Sequence, residues 1–109
     1  MSRSSARVST DRPQRYAKQL ASHLGRRIET SWSEEEGVGR LAFSDGATGT
    51  MTAAPDALLL EVEGPAEEIE RLEDVVGRHL VRFGSKDELV VTWTREGGEP
   101  GLVHRRTED

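Results

Sequence analysis

The segment from Pro65 to Trp93 constrains the fold more than any other part of the chain. It reads P-A-E-E-I-E-R-L-E-D-V-V-G-R-H-L-V-R-F-G-S-K-D-E-L-V-V-T-W. Ile69, Leu72, Val76, Leu80 and Phe83 recur at helical spacing and form one apolar stripe. After Gly84 the period becomes two. Leu89, Val91 and Trp93 then point one way, and Val90, Thr92 and Thr94 the other. A helix with one apolar face needs a sheet to cover it, and a half-buried strand needs a helix. Together they predict a folded α+β domain.

The rest of the chain extends this pattern. Residues through Ser5 are expected to be unstructured. Ala6, Val8 and Thr10 alternate with polar neighbours and predict a short strand. Asp11 reads as an N-cap with Gln14 three residues on, and Pro13 suits the first turn. Tyr16, Ala17, Leu20 and Leu24 stripe the first helix, and Gly25 suits its C-terminus. Four strands follow, over residues 28–33, 38–43, 47–53 and 57–63. Glu34 to Gly37, Asp45-Gly46 (a type I′ hairpin signal) and Pro55-Asp56 separate them. Gly64-Pro65 opens the second helix and Gly84 closes it; a last strand covers residues 88–95. From Glu96 on, no periodicity remains, and residues 96–109 read as a flexible tail. The expectation is one α+β domain over residues 6–95. Its sheet is antiparallel, with about six strands in β-α-β-β-β-β-α-β order and both helices on one face. The other face would carry Thr48, Thr50, Thr52, Thr92, Thr94, Leu59 and Glu61.

Composition narrows the chemistry. At 109 residues there is room for one core, and 34% hydrophobic content makes that core thin. The absence of cysteine excludes disulfides, zinc–thiolate sites, iron–sulfur clusters and thiol nucleophiles. The N-terminus lacks an apolar signal-peptide core and no apolar run approaches a membrane span, so a cytoplasmic protein without membrane contact is expected. The net charge of −5 is unevenly spread. Residues 1–28 hold seven basic residues and one acid; residues 29–109 hold eight basic and nineteen acidic ones. The plainer reading is complementarity between a basic first helix and an acidic second one. The functional reading is a basic face for an anionic small molecule. Nucleic acid is not expected, because the acidic remainder repels phosphate.

Few residues suggest chemistry. There is no Walker loop, no G-x-G-x-x-G and no G-x-S-x-G, so no nucleotide cofactor or serine nucleophile is indicated. The glutamates of residues 34–36 and of the second helix read as solvated. Trp32 and Trp93 fall on inward strand phases and read as core. His104 lies in the tail. His23 and His79 each lie in the last turns of a helix, on the flank of its apolar stripe, where the helix dipole favours imidazolium. If the two helix ends converge, the rings can share one ligand or metal; otherwise each is a partly buried histidine with a local partner. Arg15 and Lys18 of the first helix would then contact an anionic ligand beside them.

R-Y-A-K-Q-L-A-S-H-L in the first helix, R-L-E-D-V-V-G-R-H-L-V-R-F in the second and E-L-V-V-T-W-T-R in the last strand together resemble the bacterial family known as domain of unknown function 2218. The resemblance runs from about Ala6 to Arg95. His23 and His79 match the family's histidines near the two helix ends. Tyr16, Leu20, Leu80, Phe83 and Trp93 match its apolar positions, and Leu24 stands where an aromatic is frequent. The resemblance supplies no catalytic residue. It implies a link to iron uptake, because similar domains occur beside or joined to siderophore-interacting reductases. The expected function is therefore a non-enzymatic binding or accessory domain whose partner is a ferric siderophore or such a reductase. The alternative is a protein-interaction module using the open sheet face or an edge strand, with a homodimer as one form.

Overall fold

The structure, a computed structural model, describes residues 2–44, 46–83 and 89–105. Strand β1 is Ser2–Ser9 and helix α1 is Pro13–Leu24. Strands β2 (Glu29–Ser33), β3 (Val38–Ser44), β4 (Ala47–Ala53) and β5 (Ala57–Gly64) follow. A 3₁₀ turn, Ala66–Glu68, leads into helix α2, Ile69–Phe83. Strands β6 (Val90–Arg95) and β7 (Pro100–Arg105) end the described chain. The strands form one sheet in the order β2-β3-β4-β5-β1-β6-β7, and every neighbouring pair is antiparallel.

Alternation sets which face is covered. Ala6, Val8, Leu41, Met51, Leu58, Leu60, Val62, Val91 and Trp93 are buried on one face and join Tyr16, Leu20, Leu24, Ile69, Leu72, Val76 and Leu80 of the helices in a single core. Each such aliphatic side chain withdrawn from water is worth about 1.5–3 kcal/mol. Both helices cover this face, α1 over β2 to β5 and α2 over β5, β1, β6 and β7. The opposite face carries the expected threonines with Leu59 and Glu61 and stays wet.

Four expectations need correction. First, the sheet has seven strands, not six, because residues 100–105 of the expected tail pair with β6. Leu102 packs on the core there, and its backbone N–H reaches a buried carboxylate on α2. Second, β1 begins at Ser2 rather than Ala6, since Ser2 to Ser9 pair in unbroken register with Gly64 to Ala57. Third, Asp11 does not cap α1: Arg12 holds the N-cap position without a side-chain bond. Fourth, Gly25 is not in a left-handed conformation. Its φ is −61°, and a Cβ there would press on Thr30 Oγ1, which donates to the Ala21 carbonyl oxygen at 2.9 Å. Close approach of β2, not turn geometry, explains that glycine. Gly37 does carry positive φ, at 69°, and turns the chain between β2 and β3. The type I′ turn expected at Asp45-Gly46, the helix stop at Gly84 and the strand start at Glu88 involve residues outside those described.

The expected pairing of a basic first helix with an acidic second is also not found among the described residues. Arg3 pairs with Glu63 and Glu61, Arg7 with Asp56, and Lys18 with Glu34. All three acidic partners of the arginines lie on β5 or just before it. Among the described residues, no helix is long and apolar enough to cross a membrane.

Candidate functional site

His23 and His79 meet. The stripe of α1 and the stripe of α2 both face the sheet, so the flanks of the two helices are brought side by side. The imidazole centroids lie 5.0 Å apart with the rings tilted by 47°. Phe83, one turn beyond His79, sets its edge against His23 with centroids 5.1 Å apart. His79 Nδ1 lies 2.6 Å from the Val75 carbonyl oxygen, so Nδ1–H donates there and Nε2 is the free nitrogen. His23 is exposed, and its ring is held below the usual histidine pKa. Desolvation is the largest cause, followed by repulsion from His79, Arg26, Arg82 and Arg27.

Around this pair is a cleft of about 620 Å³. Leu24 and Ile28 from the end of α1, Phe43 from β3 and Val75 from α2 supply its apolar lining. Its charged lining is five arginines: Arg26, Arg27, Arg71, Arg78 and Arg82. Arg71, Val75, Arg78, His79 and Arg82 fall on one flank of α2 at helical spacing, which is why a single helix presents so much of the wall. Arg71 is paired with Glu68, and Arg78 lies 3.9 Å from Asp74. Arg26, Arg27 and Arg82 have no carboxylate within ion-pair distance among the described residues. Attraction to the negative helix ends accounts for arginines at 26, 27 and 82. It does not account for Arg71 and Arg78, which lie well inside α2.

The other two expected site residues sit one groove away. Arg15 and Lys18 line a shallower depression on the far side of His23, with Ser22, Arg26 and Phe83. Lys18 is tied to Glu34 at 3.3 Å. His23 and Arg26 belong to both depressions. The sequence reading thus found the two imidazoles and missed the arginine wall. The signal was present in the sequence as the spacing of arginines 71, 78 and 82 along one flank of α2. No group of three or more His, Cys, Asp or Glu suited to a metal ion occurs among the described residues.

A second polar cluster was not anticipated. Glu73 is fully buried, although the acids of α2 were expected to be solvated. Its Oε2 accepts from Ser4 Oγ at 2.6 Å and Arg95 Nε at 3.1 Å; its Oε1 accepts from Arg95 Nη2 at 2.9 Å and the Leu102 N–H at 3.1 Å. Burial pushes this carboxyl up, but Arg95, Ser4 and Leu102 together hold it below the usual carboxylate range. With four donors satisfied, the cluster clamps α2 to β1, β6 and β7 and has no free valence for a ligand. The neighbouring contact is as close: a Cβ at Gly77 would collide with the His104 ring, whose Nε2 lies 3.3 Å from Asp74 Oδ1.

No curated protein matches the chain. Among solved structures, it is similar to the protein PA4090 from Pseudomonas aeruginosa, determined by NMR, at 26% identity and a TM-score of 0.68. That likeness covers 91% of this chain and 99% of the other. From residue 5 to residue 94 the sequence fits the model of DUF2218, a family of uncharacterised proteins conserved in bacteria, and the chain belongs to that family.

Proposed function

We propose that this protein is a cytoplasmic, non-catalytic binding domain whose cleft between the ends of α1 and α2 takes a small anionic ligand with an apolar body. One observation carries the reading: five guanidinium groups and two imidazoles gather around an apolar floor in a chain of net charge −5. Guanidinium forks recognise carboxylate, phosphate and catecholate oxygens, and the floor accepts a ring or chain. The lining offers no hydroxyl or carboxylate as nucleophile or base, which favours retention of a ligand over its conversion. A ferric siderophore fits this class, and the iron-uptake association implied by the family resemblance is the reason to try it first.

The test is a calorimetric titration and an amide-shift titration with a ferric tris-catecholate, a ferric hydroxamate and inorganic phosphate. The expected result is binding of at least one ferric chelate in the micromolar range, stronger than phosphate and weakened by added salt. Arg78→Glu with Arg82→Glu abolishes it. Binding indifferent to that double charge reversal, or no response to any of the three, overturns the reading.

A second reading is a protein-interaction module. Leu59 (39% exposed), Val90 (44%) and Val103 (48%) stand on the wet sheet face or its β6–β7 edge, and they are the exposed large aliphatics among the described residues. Sedimentation velocity at high protein concentration tests self-association through that face. A strict monomer counts against the homodimer form.

A further inference from the structure

The two imidazoles have an arrangement that simple anion binding does not use. We propose that His23 and His79 supply two nitrogen ligands to a metal ion that enters the cleft inside an anionic chelate with two exchangeable coordination positions. This rests on the preceding reading of the arginine cleft and narrows its ligand class.

The first observation is the tautomer. His79 Nδ1 gives its proton to the Val75 carbonyl, which leaves the Nε2 lone pair available in a ring lining the cleft. Metal-binding histidines are oriented in this way, with the non-ligating nitrogen donating to a carbonyl or carboxylate. The second is the spacing. Two imidazoles bound side by side to one ion, with bonds of about 2.1 Å, place their ring centroids about 4.5–5.5 Å apart. The observed 5.0 Å falls in that range. The third is that the ring nitrogens of His23 have no hydrogen-bond partner among the described residues, while Phe83 packs edge-on against the ring.

The surroundings then select the form in which the metal arrives. Among the described residues no third His, Cys, Asp or Glu completes a site. Five arginines line the same cleft, so a bare cation meets repulsion from several unit charges. A chelate with net negative charge meets attraction instead, and brings the missing ligands with it. Imidazole nitrogen suits copper, nickel, zinc and iron. A ligand that already fills every position on its metal gains nothing from the histidine pair.

Untagged protein separates the two claims. Ni(II)–nitrilotriacetate carries charge −1 and two open positions; Co(III)–ethylenediaminetetraacetate carries charge −1 and none that exchange. The expected result is that the nickel chelate binds more tightly than both the cobalt chelate and nickel chloride. His23→Gln or His79→Gln weakens the nickel chelate at least about tenfold and the cobalt chelate by no more than about twofold. Electron paramagnetic resonance of Cu(II)–nitrilotriacetate on the protein shows splitting from two imidazole nitrogens, one of which is lost in each variant. Circular dichroism confirms that the variants remain folded. If the two chelates bind alike, respond only to Arg78→Glu and ignore both histidine variants, metal coordination is refuted while the anion cleft stands. If neither chelate binds, both readings fall. Nickel chloride binding more tightly than its chelate, or nickel-chelate binding lost in His104→Gln rather than His23→Gln, also overturns the proposal.

Discussion

Arg95→Ala is the sharpest test of what holds the described C-terminal strand. Arg95 gives two hydrogen bonds to Glu73, a carboxylate with no solvent exposure. Without it, Glu73 keeps Ser4 Oγ and the Leu102 N–H but loses its countercharge. Removing one partner of a buried ion pair costs about 3–5 kcal/mol. Arg95 itself is 32% exposed and two donors remain, so a value of about 2–4 kcal/mol is expected. That is a large fraction of the roughly 5–15 kcal/mol that holds a domain of this size together. Urea unfolding at neutral pH measures it, with an unchanged slope showing that the unfolded reference is the same.

The pH dependence gives the second readout of this variant. In the native protein Glu73 has a lowered pKa. Its contribution is therefore fully present above the unfolded carboxylate value and is lost as pH falls through the folded value. Without Arg95, burial becomes the dominant influence and raises the folded value above the unfolded one. The sign then reverses, and the variant regains stability as acid neutralises the buried charge. The gap between the two proteins must therefore narrow on acidification. A loss under about 1 kcal/mol at neutral pH, or a gap of constant size down to pH ~4, refutes the clamp. Glu73→Leu with Arg95→Met should recover most of the loss, because an apolar pair leaves no stranded charge.

Three further outcomes are expected. Gly77→Ala should destabilise by about 1–3 kcal/mol despite alanine's better helix propensity, because its Cβ meets the His104 ring; faster hydrogen exchange at residues 100–105 identifies the cause, and a stabilised variant contradicts it. A chain ending at Glu99 should lose stability far beyond the neutral effect expected of an unstructured tail, as read by thermal melting. His23 should titrate by NMR below the free-histidine value. Since its folded pKa is depressed, the neutral ring's contribution is intact above the unfolded value and stability falls as pH drops through it. Addition of a bound anion should raise that midpoint, and a midpoint above the free value contradicts the desolvation and the repulsion from His79 and the arginines that lower it.

The sheet's inner and outer faces were legible in the sequence because a half-buried strand repeats every two residues and a covering helix every three to four. Thr48, Thr50 and Thr52 were placed outward, and Trp93 inward, on that basis alone. The last strand was not legible: Pro100 to Arg105 holds a glycine and a histidine where apolar alternation would stand. Leu102 is held there by a backbone N–H on Glu73, and His104 by the space at Gly77, and neither contact leaves a periodic trace. Ser4 was missed for the same reason: it was placed in an unstructured N-terminus, and nothing local announces a carboxylate that arrives from 69 residues away.

Local periodicity, then, settled the α+β class, the element order as far as β6 and which side of those strands is dry. Those properties depend on neighbours within one turn or one pleat. Only the packed molecule decided that Glu73 is buried, that His23 and His79 stand together, and that arginines from residues 26 to 82 surround one cleft. Such groupings depend on the angle and offset at which two helices cross a sheet, and side-chain volumes distributed over the whole core set that geometry.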